Sequence, residues 1–459
     1  MNRGRSASLL AAARAAFHAG DFETALLGTE EILRDLGTPP FPLPVAGGLP
    51  EVDFLLEALG RRIAEGLTAE PPAARQGGDW ILATILYETG GHTPLIRDLA
   101  SALPLPPAGL ALTMAGCAAA ELTDRALART GIDPASTYRA SGPSRLETCL
   151  DTIRFLQRCS PRRLYLFQHP HDTCAIAAAA ALAAAGTELL LVHHADTHPT
   201  AGLFLPRVRV LDLTPRACSF TREIHGLASA WLPLTCPDPG AAAPHFRRRG
   251  HLTTALAGSQ FKTTQESHHP YPEVVAAVLR ATRGTHVHVG PLSDSRLDAI
   301  GRACVDAGLD ESRFIHVPVA PTLVEALRSE GVDLLINTWP LGGARTSVEA
   351  MAAGIPMVWH SPHPAYDRVR CQMAWPGAPV WRHPADLAAL ATAADCDWLA
   401  AQSHAARRRY EQLHHPSRWR RFFAADGGAA GEPLPEGFDA TLHLPLLWDV
   451  VLDAATGPG

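Results

Sequence analysis

Four stretches of this chain set chemistry-bearing side chains where a strand gives way to a helix. The first is Tyr87-Glu88-Thr89-Gly90-Gly91-His92-Thr93-Pro94. Gly90 and Gly91 let the backbone turn sharply and approach a ligand, and the following helix start carries partial positive charge. Pro94 suits an early helical position, and His92 is placed to face a bound molecule. A plain strand-helix turn fits the same glycines. The second is Val192-His193-His194-Ala195-Asp196-Thr197-His198, again at a strand end, where open α/β sheets bind ligands. His193, His194, Asp196 and His198 admit three readings: a zinc or manganese set, a polar wall for an acceptor, or solvated loop histidines. Metal-ligand spacing is poor and no second ligand cluster accompanies it. His169-Pro170-His171-Asp172 closes another strand and can add polar groups to the same crevice.

The third stretch is Gly258-Ser259-Gln260-Phe261-Lys262. Of forty basic residues Lys262 is the sole lysine, and Asn337 is one of two asparagines, the other being Asn2. The Ala/Arg/Pro/Gly bias reads as genomic GC pressure. A lysine and an asparagine that persist under it mark positions where Arg, Ser or Asp will not serve, unless chance kept them. A lysine offers a compact, rotatable cation for a diphosphate, and Ser259 and Gln260 can donate beside it. The fourth stretch is the most specific: a strand 333–336, then Asn337-Thr338-Trp339-Pro340-Leu341-Gly342-Gly343, then a helix through Ala344, Arg345, Thr346 and Glu349 that stops at Gly354-Ile355-Pro356. Backbone N–H groups at that helix start are placed to hold phosphate, and Glu349 can accept from two ribose hydroxyls. A solvated helix glutamate is the plainer reading of Glu349.

These stretches need elements to hold them. Residues 5–36 read as two short helices around Gly20-Asp21, similar to a tetratricopeptide-type hairpin without a clean repeat, and a third helix spans 52–67. Strands are expected at 80–87, 109–113, 163–168, 187–192 and 207–212, then at 252–257, 285–289, 313–317, 333–336 and 356–359, with helices between. Two such sets imply an α/β chain of two Rossmann-like domains facing a cleft. The expected domains are a helical 1–77, an acceptor-side 78–245, a donor-side 246–396, and C-terminal helices 397–459 packing back on the body.

Composition narrows the function. In 459 residues, 47% are hydrophobic and 19% charged, and the net charge is −6. That balance gives no general attraction for nucleic acid or anionic membrane. Nine scattered cysteines without a Cys-x-x-Cys pair argue against a disulfide framework or zinc knuckle and suit a reducing cytosol. The N-terminus lacks a signal peptide's apolar core. The alanine run 175–185 with Leu189–Val192 reads as helix, turn and strand, since Gly186 and Glu188 interrupt it.

With those residues in view, positions 79–440 resemble a GT-B-fold glycosyltransferase, in the branch of the O-GlcNAc transferases and the bacterial HMW-adhesin glycosyltransferases. That resemblance implies a nucleotide-sugar donor, UDP-linked, bound mainly by the second half. It puts Thr346 and Glu349 on phosphate- and ribose-contacting positions and Lys262 on the lysine that neutralises the diphosphate. It also fits a helical region before the catalytic body. Ala344 and Arg345 depart from the histidine and threonine of the O-GlcNAc members, so sugar preference does not carry over. Retaining GT-B enzymes pair the Glu349 position with a second glutamate eight residues upstream. Leu341 stands there, which points to inversion.

The expectation is therefore transfer of a sugar to an acceptor, foremost a protein side chain, without a metal or other cofactor. His92, or one of His193, His194, Asp196 and His198, would orient or deprotonate the acceptor. A glycan or lipid-linked acceptor is the rival, and a catalytically dead GT-B-like binding protein is a third reading. Oligomeric state is not legible.

Overall fold

The computed structural model describes residues 3–37, 47–67, 77–195, 199–240, 246–263, 269–339, 342–361, 373–425, 431 and 433. By its contacts the chain separates into two compact units. The first comprises 1–88, 92–233 and 419–459; the second comprises 89–91 and 234–418.

The first unit opens with α1 (Arg3–His18), α2 (Phe22–Gly37) and α3 (Pro50–Glu65). An α/β series follows: β1 (Asp79–Ala83), α4 (His92–Ala102), β2 (Gly109–Leu112), α5 (Asp124–Ala128), β3 (Thr137–Arg139), α6 (Arg145–Cys159) and β4 (Arg163–Phe167). It continues with α7 (Thr173–Ala184), β5 (Glu188–His193), β6 (Val208–Asp212), α8 (Pro215–Ser219) and β7 (Ser229–Trp231). The seven strands form one parallel sheet in the order β3-β2-β1-β4-β5-β6-β7. Strands covered on both faces must be apolar throughout, and 80–83, 164–167 and 189–193 are buried without alternation. The sequence pattern missed the short edge strands β3 and β7, which carry too few apolar residues to stand out.

The alanine run is α7, whose residues 173–182 are all buried. Small side chains are needed because α3 presses on it: a Cβ added at Gly60 would lie 2.0 Å from the Ala177 carbonyl oxygen. Among the described residues no helix is long and apolar enough to cross a membrane. Polar ties also bind the N-terminal helices to the sheet layer. Glu23 accepts the Arg145 and Leu146 N–H groups at the start of α6, and Glu30 pairs with the Arg145 guanidinium at 2.6 Å. Asp53, wholly buried on α3, accepts from the N–H groups of Gly202 and Phe204, and burial pushes its carboxyl up to about 7.

The second unit contains β8 (Thr253–Ala257), α9 (Tyr271–Thr282), β9 (Thr285–Val289), α10 (Asp294–Asp306), β10 (Phe314–Val317), α11 (Leu323–Ser329) and β11 (Leu334–Ile336). Then come α12 (Ala344–Ala352), β12 (Met357–His360), β13 (Val380–Trp381), α13 (Pro384–Ala393) and α14 (Cys396–Arg409). Its parallel sheet runs β10-β9-β8-β11-β12-β13. Helix α15 (Ser417–Ala424) returns the chain to the first unit, where Trp419 donates to the Pro233 carbonyl at 2.7 Å.

Candidate functional site

Both sheets have the doubly wound strand order, which reverses direction at one place. In the second unit that switch point lies between β8 and β11, hydrogen-bonded neighbours. Diverging loops open a crevice beyond such strand ends. The third and fourth stretches of the sequence leave these two strands, so topology alone brings Lys262 and the start of α12 to one crevice.

Local contacts refine that placement. Gly258, at φ +157°, follows β8. A Cβ there would meet Thr338 Cγ2 at 3.1 Å and Lys262 Cδ at 3.5 Å, so the lysine stem lies across the glycine beside the end of β11. Asn337 Oδ1 accepts the N–H groups of Thr338 and Gly343, each at 3.0 Å. The lone internal asparagine thus staples the Gly-rich loop from within. Gly343 is the N-cap of α12 and has no side chain to fill that helix start. Thr346 sits against it, its Oγ1 3.2 Å from where a Gly343 Cβ would be. Ala344, Thr346 and Glu349 are half-buried, while Ser347, Val348 and 350–352 face the core. The result is a helix N-terminus without a side-chain cap, with a hydroxyl beside it and the Lys262 stem at the neighbouring strand end, an arrangement suited to an anionic diphosphate.

Three expected donor residues are already engaged. Arg345, buried, donates from Nε to Glu349 Oε1 at 2.9 Å and from Nη1 to the Thr235 carbonyl at 3.0 Å. It braces α12 against the chain entering the unit. Glu349 therefore holds a guanidinium with one of its oxygens. Gln260 spends its side-chain oxygen on the Ser293 N–H at 2.8 Å, fixing the loop ahead of α10. Ser259 contributes its carbonyl to the Lys262 N–H at 3.1 Å.

The first unit holds a separate group at its own switch point, between β1 and β4. His92, first residue of α4, lies 2.8 Å through Nε2 from the Phe167 carbonyl. A carbonyl only accepts, so Nε2 carries the proton and Nδ1 bears the lone pair; Nδ1 is shut from solvent with no partner among the described residues. His194 packs at 4.9 Å from the His92 ring and His169 at 6.1 Å. Tyr87, from the first stretch, stacks on His169 and shares a 2.8 Å hydrogen bond with its Nε2. Burial lowers the pKa of all three imidazoles, and their mutual repulsion deepens the effect at His169 and His194; His169 falls to about 3. They are neutral at ordinary pH, better suited to holding an acceptor than to stripping a proton from it.

His193 and His194 part company. His193 continues the Leu189 and Leu191 face of β5 and is turned into the fold, where its Nδ1 meets Asp212 Oδ1 at 2.7 Å. Asp212, aligned with it on β6, also accepts from Ser229. His193 is thus removed from the loop surface expected for it, and Asp212 is a partner that only strand order reveals. Gly90 turns through the left-handed region at φ +83°. Gly91 groups with the second unit, where a Cβ would come within 3.0 Å of Arg345 Cδ, so it is not purely an acceptor-side residue. Asp172 ties three strand ends together, accepting from Thr84 and Thr113 hydroxyls at 2.6 and 2.5 Å while capping α7. Asp196 and His198 lie outside the described residues. No group of three or more His, Cys, Asp or Glu among the described residues is arranged to hold a metal ion.

No protein-family model matches the sequence, and no curated protein matches it. Solved structures do match in fold. Anabaena Alr3699/HepE in complex with UDP and glucose aligns over 76% of this chain and 99% of its own, at 12% identity and a TM-score of 0.55. The lipopolysaccharide outer core galactosyltransferase WaaB aligns over the same shares, at 12% identity and 0.53. A Thermobaculum terrenum O-GlcNAc transferase mutant spans 98% of this chain and 83% of its own, at 15% identity, with a TM-score of 0.49. The first two carry the assignment: the chain has the GT-B fold.

Proposed function

We propose that this GT-B chain is a glycosyltransferase that moves a sugar from a UDP-sugar to an acceptor, foremost a protein side chain, with inversion and without a metal ion. The single observation that carries the reading is the convergence of Lys262 and the uncapped start of α12 on the β8–β11 switch point. Structures of similar fold were solved in complex with UDP or UDP-glucose, which supports a UDP-linked donor.

In the reaction the acceptor's nucleophilic atom forms a bond to the anomeric carbon. The bond from that carbon to the diphosphate oxygen breaks, its electron pair leaving with UDP. Much of the barrier is the charge gathering on the departing diphosphate, and preorganised donors lower it most. Lys262, the Thr346 hydroxyl and the backbone N–H groups opening α12 take that part, with Asn337 holding the loop in shape. Glu349 keeps one oxygen toward the ribose while the other holds Arg345. His92 or His194, both half-buried, orients the acceptor, whose proton passes to solvent. Asp196 and His198 remain candidates on the same loop.

The test is a screen of sugar nucleotides for slow hydrolysis without acceptor, then intact-mass analysis of proteins co-expressed with the chain. A hexose or N-acetylhexosamine mass increment, unchanged by EDTA, is the expected result. Binding of UDP with no hydrolysis or transfer of any sugar would favour a dead binding protein.

A further inference from the structure

A buried chain of hydrogen bonds runs beneath the Lys262 turn through residues with no part so far in binding or catalysis. Thr254 Oγ1 lies 2.9 Å from His286 Nδ1; His286 Nε2 lies 3.0 Å from the Tyr271 hydroxyl. That hydroxyl lies 2.8 Å from His288 Nδ1, and His288 Nε2 lies 3.0 Å from the Gly258 carbonyl oxygen. His286 and His288, two apart on β9, present their rings to one face, and Tyr271 opens α9 above them.

Proton bookkeeping gives this chain a single direction. The Gly258 carbonyl can only accept, so His288 Nε2 carries a proton. His288 is neutral, held down at about 4 by burial and by His316, so its Nδ1 is a bare acceptor for the Tyr271 O–H. The tyrosine has one proton and has given it, so its oxygen must accept from His286 Nε2. His286, held at about 3 by burial, then accepts at Nδ1 from the Thr254 hydroxyl, which lies nearer that nitrogen (2.9 Å) than the Thr285 carbonyl (3.3 Å). Each donor therefore fixes the next, ending on one backbone oxygen.

That oxygen belongs to the residue over which the Lys262 stem lies. Gly258 is also held by its N–H on the Val289 carbonyl at 2.9 Å. Gly290 lets this happen, since a Cβ there would lie 2.5 Å from the Gly258 oxygen. The Tyr271 ring meanwhile packs 5.8 Å from Trp339, whose indole N–H anchors to the His269 carbonyl at 2.9 Å on the way to the Gly-rich loop. Tyr271 thus touches the segment leaving β11 directly and reaches the one leaving β8 through His288.

We propose that Thr254, His286, Tyr271 and His288 are positioning residues for the donor site: the directed chain holds the Gly258 carbonyl, and through it the turn that aims Lys262 at the diphosphate. This rests on the donor-site reading above and deepens it. Nitrogen-15 NMR of the imidazoles in the full-length protein tests the chain without reference to any ligand. His286 and His288 should both be Nε2–H tautomers with bare Nδ1; an Nδ1–H tautomer at His288 overturns the proposal.

UDP titration then tests the purpose. Tyr271→Phe, which keeps the ring, and His288→Leu should each weaken UDP binding about tenfold, the effect of one lost buried hydrogen bond on a preorganised site. His288→Gln, whose amide can still donate to Gly258, should bind within about threefold of the parent. Folded Tyr271→Phe and His288→Leu proteins that bind UDP like the parent, while Lys262→Ala does not, overturn the positioning role and leave the donor site standing. Parent-like binding by Lys262→Ala overturns the donor-site reading itself, and the proposed role falls with it.

Discussion

At the scale of single residues, the rare types were the informative ones. Lys262 is the sole lysine and Asn337 the sole asparagine besides Asn2, and both sit at the same pair of strand ends. Asn337 accepts two backbone N–H groups, a task an aspartate would do equally well. On the proposed donor-site reading, the amide serves by its neutrality beside a helix start that would hold phosphate. Asn337→Asp should therefore keep the fold and weaken UDP binding about tenfold, by placing a like charge near the diphosphate. Equal affinity in calorimetry would show that no diphosphate comes near. Arg345 and Glu349 show what a residue-by-residue reading misses. Their spacing of four is the ordinary spacing of a helical ion pair. Reading each toward a ligand overlooked that they satisfy one another.

At the scale of elements, most of the architecture was legible because parallel strands buried on both faces are continuous apolar runs, and the helices between them show a 3.6-residue period. Strand β9 was expected at 285–289 and lies there. Edge strands β3, β7 and β13, two or three residues long, carry no such signal. Pairings across strands were equally hidden: His193 with Asp212, and His286 and His288 with Tyr271, depend on strand order and on which face each residue takes. Helix packing was hidden too, since nothing in the sequence sets Gly60 against α7. Gly60→Ala should force α3 off α7 and cost about 1–3 kcal/mol, read as a lowered thermal midpoint. An unchanged midpoint would mean α3 does not approach α7 so closely.

At the scale of the whole molecule, buried neutral histidines set a pH dependence. His286 and His288 titrate at about 3 and 4 when folded, against 6.5 ordinarily. Between those values the unfolded chain binds more protons than the folded one, so their contribution is complete above about pH 6.5 and is lost as pH falls toward 4. Asp53, pushed up to about 7, acts in the opposite sense within the first unit: its contribution is lost as pH rises from about 4 to 7. Replacing both histidines, His286→Gln with His288→Gln, should flatten the acid side of the denaturation profile. An unaltered slope would show that these imidazoles are not buried neutral.

Two Rossmann-type units, each with its own switch point, divide the work proposed here between a phosphate-gripping site and a histidine-lined one. The phosphate site makes the stronger claim, and it stands on one ammonium and one helix start. Calorimetric titration of UDP into the parent chain and into Lys262→Ala tests it most directly. The account predicts saturable binding by the parent and at least tenfold weaker binding by the variant, with an unchanged thermal midpoint. Equal affinities would contradict it.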